Sequence, residues 1–174
     1  GSGLTYFAQS HGEGLFASRL THAGAILIPP TFLNFIMSFL NMQKMRKRLI
    51  LSAYAIGVTL ELANLTPLLI RDVLRLSLNY YGTPGFLYLG FVLFFFITVL
   101  YCLLLLYQTY SISSGKRKLQ IKYLLIASVI GYGGGTVDFL PIFGVDIYAI
   151  GNPLNIVFVS IVSYAIFVHK LLDI

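Results

Sequence analysis

Long apolar runs recur along this chain and are separated by short polar segments. The last of them extends from Pro153 to Val168, and His169, Lys170 and Asp173 then interrupt it. A helix that crosses a membrane needs roughly 20 predominantly apolar residues, and its cytoplasmic end is commonly marked by a cation. Only 10% of the residues are charged, whereas a soluble domain carries roughly 25%. The sequence therefore predicts an all-α polytopic membrane helix bundle.

Five of the apolar segments are long enough to form transmembrane helices. Residues 1–18 are too polar to span a membrane and are predicted to form an external or interfacial segment, which leaves 19–174 as one five-helix transmembrane domain. The chain opens with Gly1-Ser2-Gly3 and without an initiator Met, so we expect the natural N-terminus to lie upstream. The predicted helices cover about residues 19–40, 49–70, 86–110, 119–140 and 153–174.

The distribution of Lys and Arg predicts the direction of these helices. The segments after the first, third and fifth helices hold 4, 4 and 1 of these residues, and the other three segments hold 1, 2 and 0. Cytoplasmic segments carry the excess of basic residues, so we expect the N-terminus outside and the C-terminus in the cytoplasm. The basic clusters at 44–48 and 116–122 account for most of the net charge of +6. They indicate membrane topology and contact with anionic lipid headgroups, and they do not indicate nucleic-acid binding.

The sequence offers little for catalysis or for a cofactor. Its single cysteine, Cys102, excludes an intrachain disulfide and a multi-cysteine metal site. The GYGGG segment lacks the strand-to-helix context of a nucleotide-binding loop. A haem held by His22 and His169 is disfavoured, because the predicted topology places the two histidines at opposite membrane faces. We find no catalytic motif and expect neither enzymatic activity nor a metal or cofactor.

Glu61 is the first candidate for a functional role. An ionisable side chain in mid-span costs several kcal/mol if it faces lipid, so it is expected to face the bundle interior and to have a partner. The predicted second helix places it about 13 Å below the outer end, at 1.5 Å per residue. The predicted ligand-binding site is an outward-opening polar cavity of Arg19, His22, Glu61, Asn64 and Asp138.

Each of these residues also has a plainer interpretation. Glu61 equally fits a protonated or hydrogen-bonded structural carboxyl, and Arg19 and Asp138 equally fit ordinary interfacial residues. One histidine and two carboxylates on three helices, without a spacing motif, are weak evidence for a metal site.

Small residues predict close helix packing in the second half of the chain. Gly131 and Gly135 are spaced i, i+4 and therefore share one helix face. Glycines at this spacing let two membrane helices approach closely.

In the second half of the chain a basic segment leads into a helix, KRKLQIKYLLIASVIGYGGGTVDFLPIFG, and the last helix ends SYAIFVHKLLDI. These two segments resemble the N-terminal seven-transmembrane sensor region of bacterial histidine kinases. The closing Leu172-Asp173-Ile174 matches the ending typical of that region. More loosely, RLTHAGAILIPPTFLNFIMSF resembles its third helix.

This resemblance implies a sensory input module in the bacterial cytoplasmic membrane. The chain would cover the last five helices of the family, and its first two would be absent. The module would pass a stimulus to a cytoplasmic output domain such as a histidine kinase, and it would be compatible with a homodimer. The signal would leave through the last helix, at His169, Lys170 and Asp173.

Two other functions are compatible with the sequence. An accessory or scaffold subunit of a larger membrane complex would also be apolar and free of catalytic motifs. A transporter or channel fragment is a third hypothesis, although the chain shows no inverted repeat and little charge in mid-span.

Overall fold

The computed structural model describes residues 8, 10–76, 79–137, 139–140 and 151–169. Within these residues the chain is mostly helical, as predicted, and it forms two compact units, Gly1–Thr98 and Val99–Ile174. The elements in chain order are α1 (His11–Phe39), α2 (Lys47–Asn64), β1 (Ile70–Leu76), β2 (Asn79–Pro84), α3 (Tyr88–Ile112), α4 (Gly115–Val137) and α5 (Gly151–His169).

Two of the described helices are long and apolar enough to cross a membrane. They are α1, with a mean hydropathy of 1.3, and α3, with a mean hydropathy of 2.8. A core of fully buried apolar side chains, including Ile26, Leu33 and Ile36, lies along α1 in the first unit.

Helix α1 begins at His11, well before the Arg19 at which the apolar pattern placed its start. A capping box fixes this earlier start. The Glu13 backbone N–H donates to the Ser10 hydroxyl, and the Ser10 backbone N–H donates to the Glu13 carboxylate, both at 3.3 Å. These two bonds satisfy backbone donors that a helix N-terminus otherwise leaves unpaired.

Two consecutive prolines, Pro29 and Pro30, lie inside α1, and both are buried. A proline has no backbone N–H, so Pro30 cannot bond the carbonyl of Ile26 four residues earlier. Gly57 of α2 lies beside this position: an added Cβ there would be 3.5 Å from Pro30 Cγ and 4.0 Å from the Ile26 carbonyl oxygen. The absence of a side chain at Gly57 lets α2 pack closely against the proline turn of α1.

Helix α2 ends at Asn64, whereas the apolar pattern predicted that it would continue to residue 70. Pro67 disfavours helical backbone just before it, and the chain turns there. The Thr66 backbone N–H and hydroxyl both donate to the Ala63 carbonyl, at 3.0 and 2.7 Å. Glu61 therefore lies in the last turn of α2, about 5 Å from its end along the axis. The prediction that it lies about 13 Å from the end of its helix is wrong.

A β-hairpin occupies the segment that the sequence indicated to be a plain connection. Strands β1 and β2 pair antiparallel, with Val73 opposite Gly82, and an irregularity lies between Ile70 and Asp72. Both strands contact α1. An added Cβ at Gly82 would lie 2.6 Å from the Ser18 hydroxyl, and one at Gly14 would lie 2.6 Å from the ring of Tyr80. Glycine on each side thus lets the hairpin lie close against the N-terminal half of α1.

Candidate functional site

Arg19 joins α1 to the end of α2 and to the start of the hairpin. Its Nη1 donates to the Leu65 carbonyl at 3.1 Å, and its Nη2 donates to the Ile70 carbonyl at 3.4 Å. The carbonyls at a helix C-terminus lack intrahelical partners and carry partial negative charge, so a cation there is favourable. These two bonds hold the guanidinium in one position beside the end of α2.

Asn64 provides the reciprocal contact from α2 to α1. Its Nδ2 donates to the Arg19 carbonyl at 2.8 Å, and the residue is only 2% exposed. The Asn64 side chain also interacts with the Glu61 carboxylate, one turn earlier on the same helix. The structure therefore brings together three of the predicted residues, Arg19, Glu61 and Asn64, which we call the α2-end cluster.

Three polar atoms of the α2-end cluster are buried and have no hydrogen-bond partner: Arg19 Nε, Glu61 Oε1 and Asn64 Oδ1. In the described part of the chain, Arg19 and Glu61 do not approach within the 4.0 Å of an ion pair. A buried polar group without a partner costs about 1–3 kcal/mol, and more if it is charged. The cluster therefore contains one N–H donor and two oxygen acceptors whose hydrogen-bonding capacity is not met among the described residues.

His22 lies one turn from Arg19 on α1, but its contacts point to a different place. Its Nδ1 lies 2.8 Å from the Ser18 carbonyl. A carbonyl only accepts, so Nδ1 carries the proton, and Nε2 of the neutral ring is an acceptor. Nε2 faces the Tyr88 hydroxyl at 3.5 Å, and the rings of Tyr88 and Phe91 lie at 5.7 and 6.5 Å. His22 thus joins α1 to the first turn of α3.

Sequence reasoning missed the role of Tyr88 and Ser18. Tyr88 is 1% exposed at the first position of α3. Its place at the head of the most apolar helix was the available signal, but nothing in the local pattern pairs it with a histidine 66 residues earlier.

The structure describes little of the remaining predicted site residues. Asp138, Lys170 and Asp173 lie outside the described residues, and His169 is the last residue of α5. Among the described residues, no group of three or more His, Cys, Asp and Glu side chains is arranged to hold a metal ion.

In the second unit, α4 packs against α5 at glycines. An added Cβ at Gly131 would lie 2.9 Å from the Phe158 ring, and one at Gly134 would lie 2.6 Å from Leu154 Cβ. At Gly135 it would meet no atom within 4 Å. The close approach of the two helices therefore involves Gly131 and Gly134, and the predicted packing role of Gly135 has no contact to support it.

The family model described as the N-terminal 7TM region of histidine kinase matches residues 1–174, which is the length of this chain. No curated protein and no solved structure matches it. The resemblance found in the basic segments and in the last helix is confirmed by this match.

Proposed function

We propose that this chain, which belongs to the N-terminal seven-transmembrane region of histidine kinases, passes a stimulus from the α2-end cluster to a cytoplasmic kinase. That region is a membrane sensor region and takes part in signal transduction, and it is distinct from the catalytic part of a kinase. What the proposal adds is the place at which the stimulus is received and the route by which it leaves.

The proposed topology has five transmembrane helices, α1 to α5, in a bacterial cytoplasmic membrane. The N-terminus lies outside and the C-terminus lies in the cytoplasm. The split of Lys and Arg between alternate connections supports this direction. The α2-end cluster and the hairpin then lie at the outer face, and the signal leaves at His169, Lys170 and Asp173.

The observation that carries the proposal is that buried polar atoms of the α2-end cluster have no hydrogen-bond partner. Arg19 and Glu61 lie close to the same asparagine yet do not neutralise each other, and each keeps a buried atom without a partner. Ionisable groups in a membrane helix bundle are costly and mark functional sites. A purely structural pair would be expected to close into an ion pair and to satisfy these atoms.

The stimulus acts by selecting one of two packings of the bundle. A ligand shifts such an equilibrium only by its differential affinity, and a tenfold preference for one packing corresponds to about 1.4 kcal/mol. His22 and Tyr88 connect the turn of α1 next to Arg19 with the start of α3. Helix α3 runs on to Ile112, so chain continuity provides the route into the second unit.

The test is substitution in the full-length kinase. We expect Glu61→Gln, and separately Asp138→Asn, to alter the response of autophosphorylation to stimulus and to pH while membrane insertion stays intact. Glu13→Gln is the matched control, because glutamine at this position of a capping box still serves the cap. Unchanged output for Glu61→Gln would overturn the proposal, because Glu61 belongs to the α2-end cluster. Asp138→Asn tests separately whether the predicted Asp138 contributes.

The partners of the module are proposed to be the lipid bilayer, a cytoplasmic kinase domain and a second copy of the chain. Purification in mild detergent with size determination tests this set. A homodimer that retains kinase activity supports it, and a stoichiometric complex with unrelated membrane subunits contradicts it.

A further inference from the structure

We infer that the α2-end cluster binds the headgroup of an aminophospholipid, through its primary ammonium group and its phosphate. This inference rests on the proposed membrane location of the cluster and names the ligand class of the same site. It follows from three properties of the cluster: the type of its unpartnered atoms, the separation of its charges and the apolar residues around it.

The unpartnered atoms fall into two chemical types. Glu61 Oε1 and Asn64 Oδ1 accept hydrogen bonds, and they lie one turn apart on α2. Arg19 Nε donates one. A complementary ligand must therefore present at least two N–H or O–H donors on one side and an acceptor on the other. A primary ammonium has three N–H donors, and a phosphate oxygen is a strong acceptor for an arginine.

The charges of the cluster match the same headgroup. Arg19 is fixed by the Leu65 and Ile70 carbonyls, and Asn64 is fixed by the Arg19 carbonyl. The positive and negative groups are thus held apart instead of collapsing together. A zwitterionic group with a cation and an anion a few bonds apart compensates both charges at once and leaves the site neutral.

The surroundings favour a lipid over a small molecule from water. Large apolar side chains at the level of the cluster are exposed on both helices and on the turn after α2, and these are Leu20, Leu62, Leu65 and Leu68. Exposed apolar residues around a polar cluster suit a ligand whose polar head bonds the cluster and whose acyl chains cover the surrounding leucines. A free amino acid has the same head chemistry but nothing to cover these leucines.

The experiment compares lipids that differ only in the number of N–H donors on the headgroup. The full-length protein is purified in detergent and offered equimolar phosphatidylethanolamine, its N-monomethyl and N,N-dimethyl forms and phosphatidylcholine. Native mass spectrometry then counts the retained lipid. We expect retention to fall stepwise along this series, with about a tenfold preference for phosphatidylethanolamine over phosphatidylcholine, since hydrogen bonds to a charged acceptor are lost. Equal retention of the two end members would overturn the inference.

Variants and a soluble competitor complete the test. Glu61→Gln should reduce the preference to less than about twofold, and Glu13→Gln should retain it. Phosphoethanolamine or glycine that displaced the bound lipid at equal concentration would indicate a soluble ligand and would overturn the lipid assignment. The methylation series on the unsubstituted protein is decisive even if the Glu61 variant fails to fold.

The failure of this inference is distinguishable from the failure of the proposed function. A headgroup preference with unchanged kinase output in the Glu61 variant supports the lipid site and overturns the sensory role of the cluster. Altered kinase output in the Glu61 variant without any headgroup preference supports the sensory role of the cluster and overturns the lipid site.

Discussion

The two compact units hold their helices together in opposite ways. In the first unit, Arg19 and Asn64 join α1 and α2 by hydrogen bonds from side chains to backbone carbonyls. In the second unit, α4 and α5 meet where Gly131 and Gly134 admit the side chains of Phe158 and Leu154. Among the described residues, the polar contacts of the first unit lie beside unpaired atoms of charged side chains, whereas the unpaired buried atom of the second unit is the uncharged Ser128 hydroxyl oxygen.

Under the proposed function, this difference separates a site for binding from a site for packing. Close packing through small residues needs no ligand, because van der Waals contact between the helices is the whole interaction. The polar contacts of the first unit leave Arg19 Nε and Glu61 Oε1 without partners, and we propose that another group binds there. We therefore expect substitutions in the second unit to affect stability most, and those in the first unit to affect the response.

The largest effect on stability is expected from Gly134→Val. The new side chain would overlap Leu154, so α4 and α5 would have to move apart. Overpacking of this kind costs about 2 kcal/mol. Gly135→Val is the matched control, since an added Cβ there meets nothing within 4 Å. Unfolding in mixed detergent and SDS, followed by circular dichroism, measures both. An equal loss for the two variants would contradict the glycine contact.

An intermediate effect is expected from Asn64→Ala. It removes the bond to the Arg19 carbonyl, which keeps only its intrahelical bond in α1. The expected cost is about 1 kcal/mol, because hydrogen bonds between membrane helices are worth less than their burial suggests. Gln43→Ala is the control, since its bond to Asn34 is exposed. If Asn64→Ala lowered the free energy of unfolding no more than Gln43→Ala does, the bond from Asn64 to the Arg19 carbonyl would not stabilise the contact between α1 and α2.

The smallest effect is expected from Asp72→Asn. His11 Nε2 lies 2.8 Å from Asp72 Oδ1, but the two side chains are 62% and 56% exposed. Exposed ion pairs are screened by water and salt, so the free energy of unfolding should fall by less than about 0.5 kcal/mol. Asparagine still accepts from the Val73 N–H, which isolates the loss of charge. A loss above about 1 kcal/mol that persists in high salt would show that this pair stabilises the hairpin more than its exposure allows.

The sequence was sufficient to predict a mostly helical chain, because long apolar runs favour helices. It also contained the true start of α1, since Ser10 and Glu13 have the spacing of a capping box. The early end of α2 was readable in part from Pro67, but apolarity around it suggested a longer span. The predicted distance of Glu61 from the end of this helix was therefore too large.

The contacts of the α2-end cluster could not be predicted from the sequence. Arg19 bonds carbonyls 46 and 51 residues later, and backbone carbonyls leave no signature in a sequence. The hairpin could not be predicted from a local pattern, because it is stabilised by pairing between its strands, such as Val73 with Gly82, and by contact with α1. The sequence indicated that Arg19, Glu61 and Asn64 could lie near one another, but it did not indicate the backbone carbonyls that Arg19 and Asn64 bond.

The proline pair of α1 has a mechanical consequence. Pro29 and Pro30 remove two successive backbone hydrogen bonds from α1, and Gly57 lets α2 pack closely against that turn. Between the segment that carries Arg19 and His22 and the segment that ends at Phe39, α1 is therefore held by fewer backbone hydrogen bonds than a regular helix. At this turn the direction of α1 depends on its packing against α2 instead.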